Sequence, residues 1–257
     1  MTEAADPAAS TVLVPQWPAP RAVRAAFTLR GGGVSRGPYA SLNLGAHVGD
    51  DAAAVSENRR RLRARLNLPA EPEWVEQVHG IGVLDLDAPE TEGRAERPRV
   101  ADAVIGRRAG QVCVVQVADC LPVLFASIRG DAIAVAHAGW RGLAAGVLET
   151  TIARLRIDPG ELLAWLGPAI GAPHFEVGAE VRAAFLAHDA GAASAFFTNE
   201  RGRWQCDLRT LARQRLQTIG LGAVFGVDSC TFSDPARFFS YRRDGRCGRM
   251  AALVWLG

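Results

Sequence analysis

Three short apolar segments follow one another in the middle of this 257-residue chain, and they constrain its fold more than any other feature. They are VCVVQVA (112–118), LPVLFASI (121–128) and AIAVAHA (132–138). Each is too short and too rich in β-branched residues to form a separate helix, and near-continuous apolarity is typical of strands that are buried on both faces. Such a sheet needs further layers on both sides, so we expect helices to cover it.

Helical segments that could form these layers lie before and after the apolar core. DDAAAVSENRRRLRARLNLP (50–69) begins with acidic residues and continues with basic ones, as the helix dipole favours. LAAGVLETTIARLR (143–156) carries an apolar stripe, and EVRAAFLAH (180–188) and LRTLARQRLQTIG (208–220) predict two further helices. EWVEQVHG (73–80) and GVLDLD (82–87) predict short strands. The predicted fold class is therefore α/β or α+β, with mixed β-sheets covered by helices.

The composition favours a soluble protein without a nucleic-acid or membrane partner. We find no repeat or linker, so we expect one domain over 21–257, preceded by a partly flexible leader at 1–20. The 29 Lys and Arg residues nearly balance the 27 Asp and Glu residues, which leaves no bulk field to attract nucleic acid or an anionic membrane. Every one of the 29 is Arg, which excludes lysine Schiff-base and lysine-nucleophile mechanisms.

The apolar runs and the cysteines indicate a cellular location. No run approaches the roughly 20 apolar residues of a membrane helix. The leader starts acidic and is broken by proline, unlike a secretory signal. The five cysteines are odd in number and widely spaced, so disulfide stapling is not expected. We therefore predict a cytoplasmic protein.

Three polar side chains stand where apolar segments give way to turns: His79 in QVHG, Cys120 in ADCLP and His137 in AHAGWRG. Catalytic groups and ligands favour such strand ends, because a rigid sheet positions what the loop exposes. Two imidazoles and one thiolate suit zinc and leave a fourth position for water or substrate. Taken singly, Cys120 also fits a small buried hydrophobe and His79 a turn residue.

Six segments together resemble the YfiH-like family, also called the polyphenol oxidoreductase laccase-domain or peptidoglycan-editing-factor family. They occur in the family's order and are RGGGVSRGPYASLNLGAHVGDD, QVHG, ADCLPVLF, AHAGWRGL, GPAIGAPHFEVG and FFSYRRDGRCGRMA. The resemblance implies the layered fold of cytotoxic-necrotizing-factor and YfiH-like proteins, with His79, Cys120 and His137 as zinc ligands and catalytic residues. Two positions depart from the family pattern: Cys247 stands where Thr is expected, and Val117 where Thr is frequent.

The resemblance also implies purine nucleoside chemistry. The implied reactions are phosphorolysis of adenosine, inosine, guanosine and methylthioadenosine, with phosphate as co-substrate, and deamination of adenosine. Zinc lowers the pKa of bound water, which suits deamination, and Asp119, Glu76 and Asp102 are open alternatives for the proton shuttle. Phosphate binding calls for arginine and glycine-rich backbone. The candidate substrate-binding residues are Arg30 with glycines 31–33, Arg141, Arg242, Arg243 and, for ribose or purine, Asn43.

Three other functions compete for the same residues. A multicopper laccase would need roughly ten clustered histidines as copper ligands, and the chain has five, so copper could bind but a multicopper cluster is not expected. A Cys–His hydrolase would use Cys120 as nucleophile and His137 as base, without needing His79. An amidase that edits peptidoglycan precursors could use the same zinc site. The sequence does not indicate an oligomeric state.

Overall fold

The computed structural model describes residues 11–88 and 99–257 and arranges them in four layers: one helix, a four-stranded sheet, a six-stranded sheet and a group of helices. The strands are β1 (Val12–Leu13), β2 (Val23–Thr28), β3 (Val83–Asp85), β4 (Ala103–Gly106), β5 (Val112–Val117), β6 (Leu121–Ser127), β7 (Ile133–Ala138), β8 (Leu162–Leu166), β9 (Glu176–Val177), β10 (Phe196–Thr198), β11 (Trp204–Cys206), β12 (Ala223–Gly226) and β13 (Met250–Leu256). The helices are α1 (Ala52–Leu66), α2 (Trp140–Ala145), α3 (Val147–Leu155), α4 (Ala179–Leu186), α5 (Leu208–Thr218) and α6 (Tyr241–Asp244). This arrangement confirms the predicted mixed α/β fold.

Two large sheets and one small sheet organise these strands. The first has the order β1-β2-β13-β5 and is antiparallel throughout. The second has the order β12-β8-β6-β7-β4-β3 and is mixed, because its two edge strands run parallel to their neighbours. The third, β10-β11-β9, is small and antiparallel. The three apolar segments therefore form β5, β6 and β7, which are buried at every residue as predicted.

Side chains alternate between two cores along the central strands. In β7, Ile133 and Val135 point into the core between the two large sheets, whereas Ala134 and Ala136 point toward α3 and α5. The same alternation in β5 directs Val112 and Val114 toward α1 and the neighbouring loop at 42–44. Because the side-chain period of a strand is two, His137 lies on the same side as Val135, between the sheets.

Two predicted elements differ from those observed. The predicted helix over 143–156 is divided into α2 and α3 by Gly146, whose φ of 101° is easily adopted only by glycine. The predicted strand EWVEQVHG is a loop with one isolated bridge, between Glu76 and Val100. Its last backbone N–H groups, at residues 78–80, donate to a side chain instead of to a neighbouring strand.

The leader predicted at 1–20 falls partly on described residues. Residues 1–10 lie outside the described part, whereas Val12 and Leu13 pair with Thr28 and Phe27 of β2. Among the described residues there is no helix long and apolar enough to cross a membrane.

Candidate metal centre

His79, Cys120 and His137 meet at one end of the two-sheet core. The Sγ atom of Cys120 lies 3.9 Å from Nε2 of His79, and the two imidazole centroids are 4.8 Å apart at an interplanar angle of 72°. The ligand atoms of the three residues all lie within 4.8 Å of one another. Across residues 11–88 and 99–257, this is the one group of three or more His, Cys, Asp or Glu side chains arranged to hold a metal ion.

A buried carboxylate orients His137. Asp102, which is fully buried, accepts a hydrogen bond of 2.9 Å from Nδ1 of His137, which is 3% exposed. In the neutral imidazole, a proton on Nδ1 leaves the lone pair on Nε2, the ring nitrogen that faces the space beside Gly139. A metal-binding histidine usually donates its other N–H group to a carboxylate or carbonyl in this way.

The same carboxylate holds the loop that carries His79. Asp102 accepts backbone N–H bonds from Val78 (3.2 Å), His79 (2.9 Å) and Gly80 (2.7 Å). His79 itself has a φ of 60°, in the left-handed region that non-glycine residues rarely occupy. One side chain therefore fixes both histidines, although they are far apart in the sequence.

A second buried carboxylate fixes the turn that carries Cys120. Asp119 has a φ of 91°, and its oxygens accept bonds from the hydroxyls of Thr231 (2.6 Å) and Ser240 (3.0 Å) and from the backbone N–H of Arg242 (2.7 Å). Cys120 immediately precedes β6 and His137 lies in β7, and these two strands pair directly in one sheet. Backbone strain of this kind persists only where surrounding contacts hold it, and it is typical of functional sites.

The three side chains also shift one another's proton affinity. Burial disfavours the Cys120 thiolate, but the imidazoles of His137 and His79 outweigh this effect and lower the pKa of Cys120 to about 6. Burial likewise opposes a charged His137, but the Cys120 thiolate and the Asp102 carboxylate raise the pKa of His137 to about 9. Near neutral pH the site without metal thus holds a thiolate beside an imidazolium.

Gly139 leaves the space between the ligands open. A Cβ atom at this position would lie 3.0 Å from Sγ of Cys120, 3.0 Å from Cδ2 of His79 and 3.6 Å from Nε2 of His137. Any side chain here would therefore enter the region that the three ligand atoms surround. This open space and the nitrogen and sulfur donors fit a metal ion of zinc's preferences, with three protein ligands and one open position.

The trio lines a pocket of about 420 Å³, together with polar and cationic side chains from distant parts of the sequence. The further polar and aromatic residues are His47, Gln77, Gln116, Arg141, Tyr241 and Arg249. Among its described lining residues there is no Asp or Glu. A smaller neighbouring pocket of about 250 Å³ shares His79, Cys120, Arg141 and Tyr241 and adds Trp140, Phe175 and Arg242 among others.

The residues predicted to bind substrate have different positions. Arg141 is exposed and lines both pockets. Arg30 donates to the carbonyl oxygens of Ala40 and Pro235. Arg243 donates to the carbonyls of Thr231, Phe232 and Phe238 and pairs with Asp244. The fully buried Asn43 bonds to the backbone N–H groups of Gly45 and Arg249 and to the Asp50 carboxylate. Of these four residues, Arg141 alone lines either pocket.

The remaining predicted residues support the site or lie outside it. Of the three shuttle candidates, Asp102 and Asp119 are engaged in the bonds described above, and Glu76 is exposed. Cys247 is 1% exposed, beneath Arg249, whose Nη1 lies 3.6 Å from its Sγ. Val117 lines the larger pocket. His47, Tyr241 and Arg249 were not singled out from the sequence, although they belong to the first and last of the six segments that resemble the family.

Comparison with known proteins gives consistent matches over nearly the whole chain. Residues 24–257 match the family model described as multi-copper polyphenol oxidoreductase laccase. The chain is 52% identical to purine nucleoside phosphorylase YfiH of Escherichia coli, over 96% of this chain and 99% of that protein. It is 54% identical to purine nucleoside phosphorylase PA4543 of Pseudomonas aeruginosa, over 95% and 98% of the two chains.

Solved structures share the fold. The crystal structure of the Neisseria meningitidis protein NMB0706 superposes with a TM-score of 0.90 at 46% identity and covers 96% of this chain and 99% of its own. YlmD from Geobacillus stearothermophilus has a TM-score of 0.85 at 30% identity, with 96% and 97% of the two chains covered.

Proposed function

The chain belongs to the multi-copper polyphenol oxidoreductase laccase family, and we propose that it is a metal-dependent purine nucleoside phosphorylase. The observation that carries the proposal is the His79, Cys120 and His137 trio at the wall of a pocket that also presents two arginines and no described carboxylate. The names of its relatives support the same reaction. With five histidines in the chain, one metal centre suits the ligand supply better than the copper clusters of a laccase.

Phosphorolysis makes two demands that the pocket residues meet. The glycosidic bond breaks through a state with positive charge on the sugar, so an anionic phosphate must be held beside it and the leaving purine stabilised. Arginines at the pocket wall are suited to the anion. A zinc ion held by the trio would supply positive charge and an open coordination position in the same pocket. Asp102 holds both histidines, and neither Asp102 nor Asp119 lines the larger pocket, although Asp119 lines the smaller one.

The finer assignment rests on the resemblance to the YfiH-like family together with this site. We propose adenosine, inosine, guanosine and methylthioadenosine as substrates, zinc as the metal, and adenosine deamination as a second activity. The catalytic unit is assigned to 21–257. Five cysteines, all free, agree with a cytoplasmic setting in which nucleosides and phosphate are the partners.

The test is a substrate panel assayed with and without phosphate. Protein purified without added metal is incubated with each nucleoside, and free base, ribose 1-phosphate, free ribose and inosine are quantified. We expect base and ribose 1-phosphate only when phosphate is present, and inosine from adenosine. Free ribose at an equal rate without phosphate would identify a hydrolase. Cleavage of peptidoglycan-precursor amides, without action on nucleosides, would identify the amidase instead.

A Cys–His hydrolase is the second candidate, because the Cys120 thiolate beside a charged His137 is also the state of a catalytic dyad. The two mechanisms differ in their response to metal removal. A chelator should inactivate the phosphorylase, with activity restored by zinc, and should leave a dyad active. Full activity of a verified metal-free preparation, blocked by a thiol alkylator, would favour the dyad and contradict the metal reading.

A further inference from the structure

We propose that inorganic phosphate binds at the pocket wall formed by Arg249, Arg141 and His47, which we call the arginine wall. This inference rests on the proposed phosphorolysis and places its anionic substrate on residues that the sequence alone did not bring together.

The hydrogen bonds of Arg249 leave a donor pair free. Its Nη1 donates to the carbonyls of Cys247 (2.9 Å) and Gly248 (3.1 Å), which anchors the guanidinium. Its Nε and Nη2 have no hydrogen-bond or ion-pair partner among residues 11–88 and 99–257. Two adjacent N–H groups on a fixed plane match two oxygens of a phosphate.

The backbone beneath Arg249 is also fixed. The N–H of Arg249 donates to the side chain of Asn43 (2.9 Å), and its carbonyl accepts from Leu44 (3.1 Å). The side chain of Asn43 bonds in addition to the backbone N–H of Gly45, two residues before His47. Asn43 is therefore a positioning residue that joins the loop carrying His47 to Arg249, the residue immediately before β13.

Arg141 and His47 extend the positive wall. Within the described part of the chain, Arg141 has no ion pair, and it stacks on Trp140 at 4.5 Å. Burial lowers the pKa of His47, and the charges of Arg249 and Arg59 lower it further, against the weaker effect of Glu76. Burial is the largest of these effects, and His47 contributes to the site mainly as a ring N–H donor that lines the same pocket as Arg249 and Arg141.

Arg30 and Arg243, which the sequence also suggested for phosphate, are already occupied. The Nε, Nη1 and Nη2 atoms of Arg30 all donate hydrogen bonds to carbonyl oxygens. Both terminal nitrogens of Arg243 donate hydrogen bonds to carbonyl oxygens of the segment 231–238, and Nη2 also donates to the Asp244 carboxylate. Either side chain would have to abandon these bonds to reach a phosphate, whereas Arg249 and Arg141 would not.

The experiment compares Arg249→Gln and Arg141→Gln with Arg60→Gln, a control that removes an equal charge from the exposed face of α1, where Arg60 pairs with Glu57. In the phosphorolysis assay, we expect the KM for phosphate to rise about 10- to 100-fold in the two pocket variants. The KM for nucleoside and the metal content should stay within about twofold of wild type, as should every parameter of the control. Arg249→Lys keeps the charge but loses the paired donors, so its KM for phosphate should lie between the values of wild type and Arg249→Gln.

A binding measurement separates failure of this inference from failure of the proposed function. Line broadening of the ³¹P signal of inorganic phosphate is recorded with the metal-loaded protein and no nucleoside. Broadening by wild type that is lost in Arg249→Gln supports the site even if no nucleoside is cleaved. Unchanged phosphate KM and unchanged broadening in both folded pocket variants would overturn the site while leaving phosphorolysis intact. No broadening and no phosphorolysis by wild type would overturn both.

Discussion

The pocket has a metal wall, formed by His79, Cys120 and His137, and the arginine wall, and the side chains of the two walls are held in place to different degrees. On the metal wall, His79 and His137 are held by Asp102, and the turn carrying Cys120 is held by Asp119, so each ligand has a buried partner behind it. On the arginine wall, Arg141 is exposed and Arg249 is anchored through one nitrogen only. A metal site needs fixed geometry before its ion arrives, whereas a site for a small anion needs unused donors. Loss of one of the three proposed ligands should thus be close to all-or-none, whereas changes to the carboxylates behind them and to the arginine wall should be graded.

Removing a ligand is the strongest test of this contrast. His79→Ala and Cys120→Ala should each abolish both metal binding and turnover, because two remaining ligands do not make the proposed zinc site. Elemental analysis after purification without added metal measures the first effect, and the phosphorolysis assay the second. His188→Ala, which removes an exposed imidazole outside both pockets, is the control. Full metal content in both ligand variants would show that the trio is not the metal site.

Asp102→Asn tests whether the buried carboxylate is needed for the ligands it holds. The amide keeps one oxygen for Nδ1 of His137 and the N–H of His79, but its NH₂ group cannot accept the backbone bonds from Val78 and Gly80. We expect zinc affinity to fall about 10- to 100-fold, measured by competition with a chromophoric chelator. Unchanged affinity in the folded variant would mean that the loop is fixed without Asp102.

Proton release on zinc binding tests the charge state of the metal wall. Between the Cys120 pKa of about 6 and the His137 pKa of about 9, the metal-free site holds a thiolate and an imidazolium. Zinc needs the thiolate and a neutral imidazole, so binding should expel about one proton. The number of protons released should approach two below pH 6 and zero above pH 9. Between these pH values, zinc affinity should fall about tenfold for each unit by which the pH decreases. Calorimetry in buffers of different ionisation enthalpy gives the count; no release at pH 7.5 would contradict the ion pair.

Asp119→Asn should show that the two buried carboxylates, Asp119 and Asp102, have different roles. Asp119 precedes Cys120 in the chain, but its carboxylate bonds to Thr231, Ser240 and Arg242. Loss of its charge should therefore mainly loosen the segment that carries Tyr241, which lines both pockets. We expect a loss of about 1–3 kcal/mol in the free energy of unfolding and a higher KM for nucleoside, with zinc content retained. Denaturant unfolding and elemental analysis measure these effects. Loss of zinc from the folded variant would show that Asp119, like Asp102, is needed for zinc binding.

The sequence predicted those features that depend on local pattern. Buried strands β5, β6 and β7 followed from continuous apolarity. Polar residues at expected strand ends singled out His79, Cys120 and His137, which the structure brings together, but the pattern left other roles open and only the family resemblance implied that they bind zinc. The strand expected over 73–80 did not form, because Asp102, more than twenty residues away, takes the N–H groups that a sheet would have used. The split at Gly146 depends on a positive φ that a helical pattern does not reveal.

The arginine wall could not be predicted from the residues alone, for a related reason. His47 and Arg249 lie at opposite ends of the sequence and meet because β13 is paired between β2 and β5. Arg30 and Arg243 appeared equally suitable for binding phosphate, because a sequence does not show which guanidinium groups donate their hydrogen bonds to carbonyl oxygens. The distinction between an occupied arginine and a free one exists only in the folded chain.

Cys247→Thr should produce the smallest effect and probes the support of the arginine wall. The buried thiol is a weak acceptor 3.6 Å from Nη1 of Arg249, and a hydroxyl there could accept a shorter bond from the same nitrogen. The anchored guanidinium should then bind phosphate slightly better, so the KM for phosphate should fall by about twofold. Zinc content and the KM for nucleoside should not change. Loss of zinc from this variant would connect Cys247 to the metal wall and break the division between the two walls, whereas a higher phosphate KM would show that the thiol is the better support for Arg249.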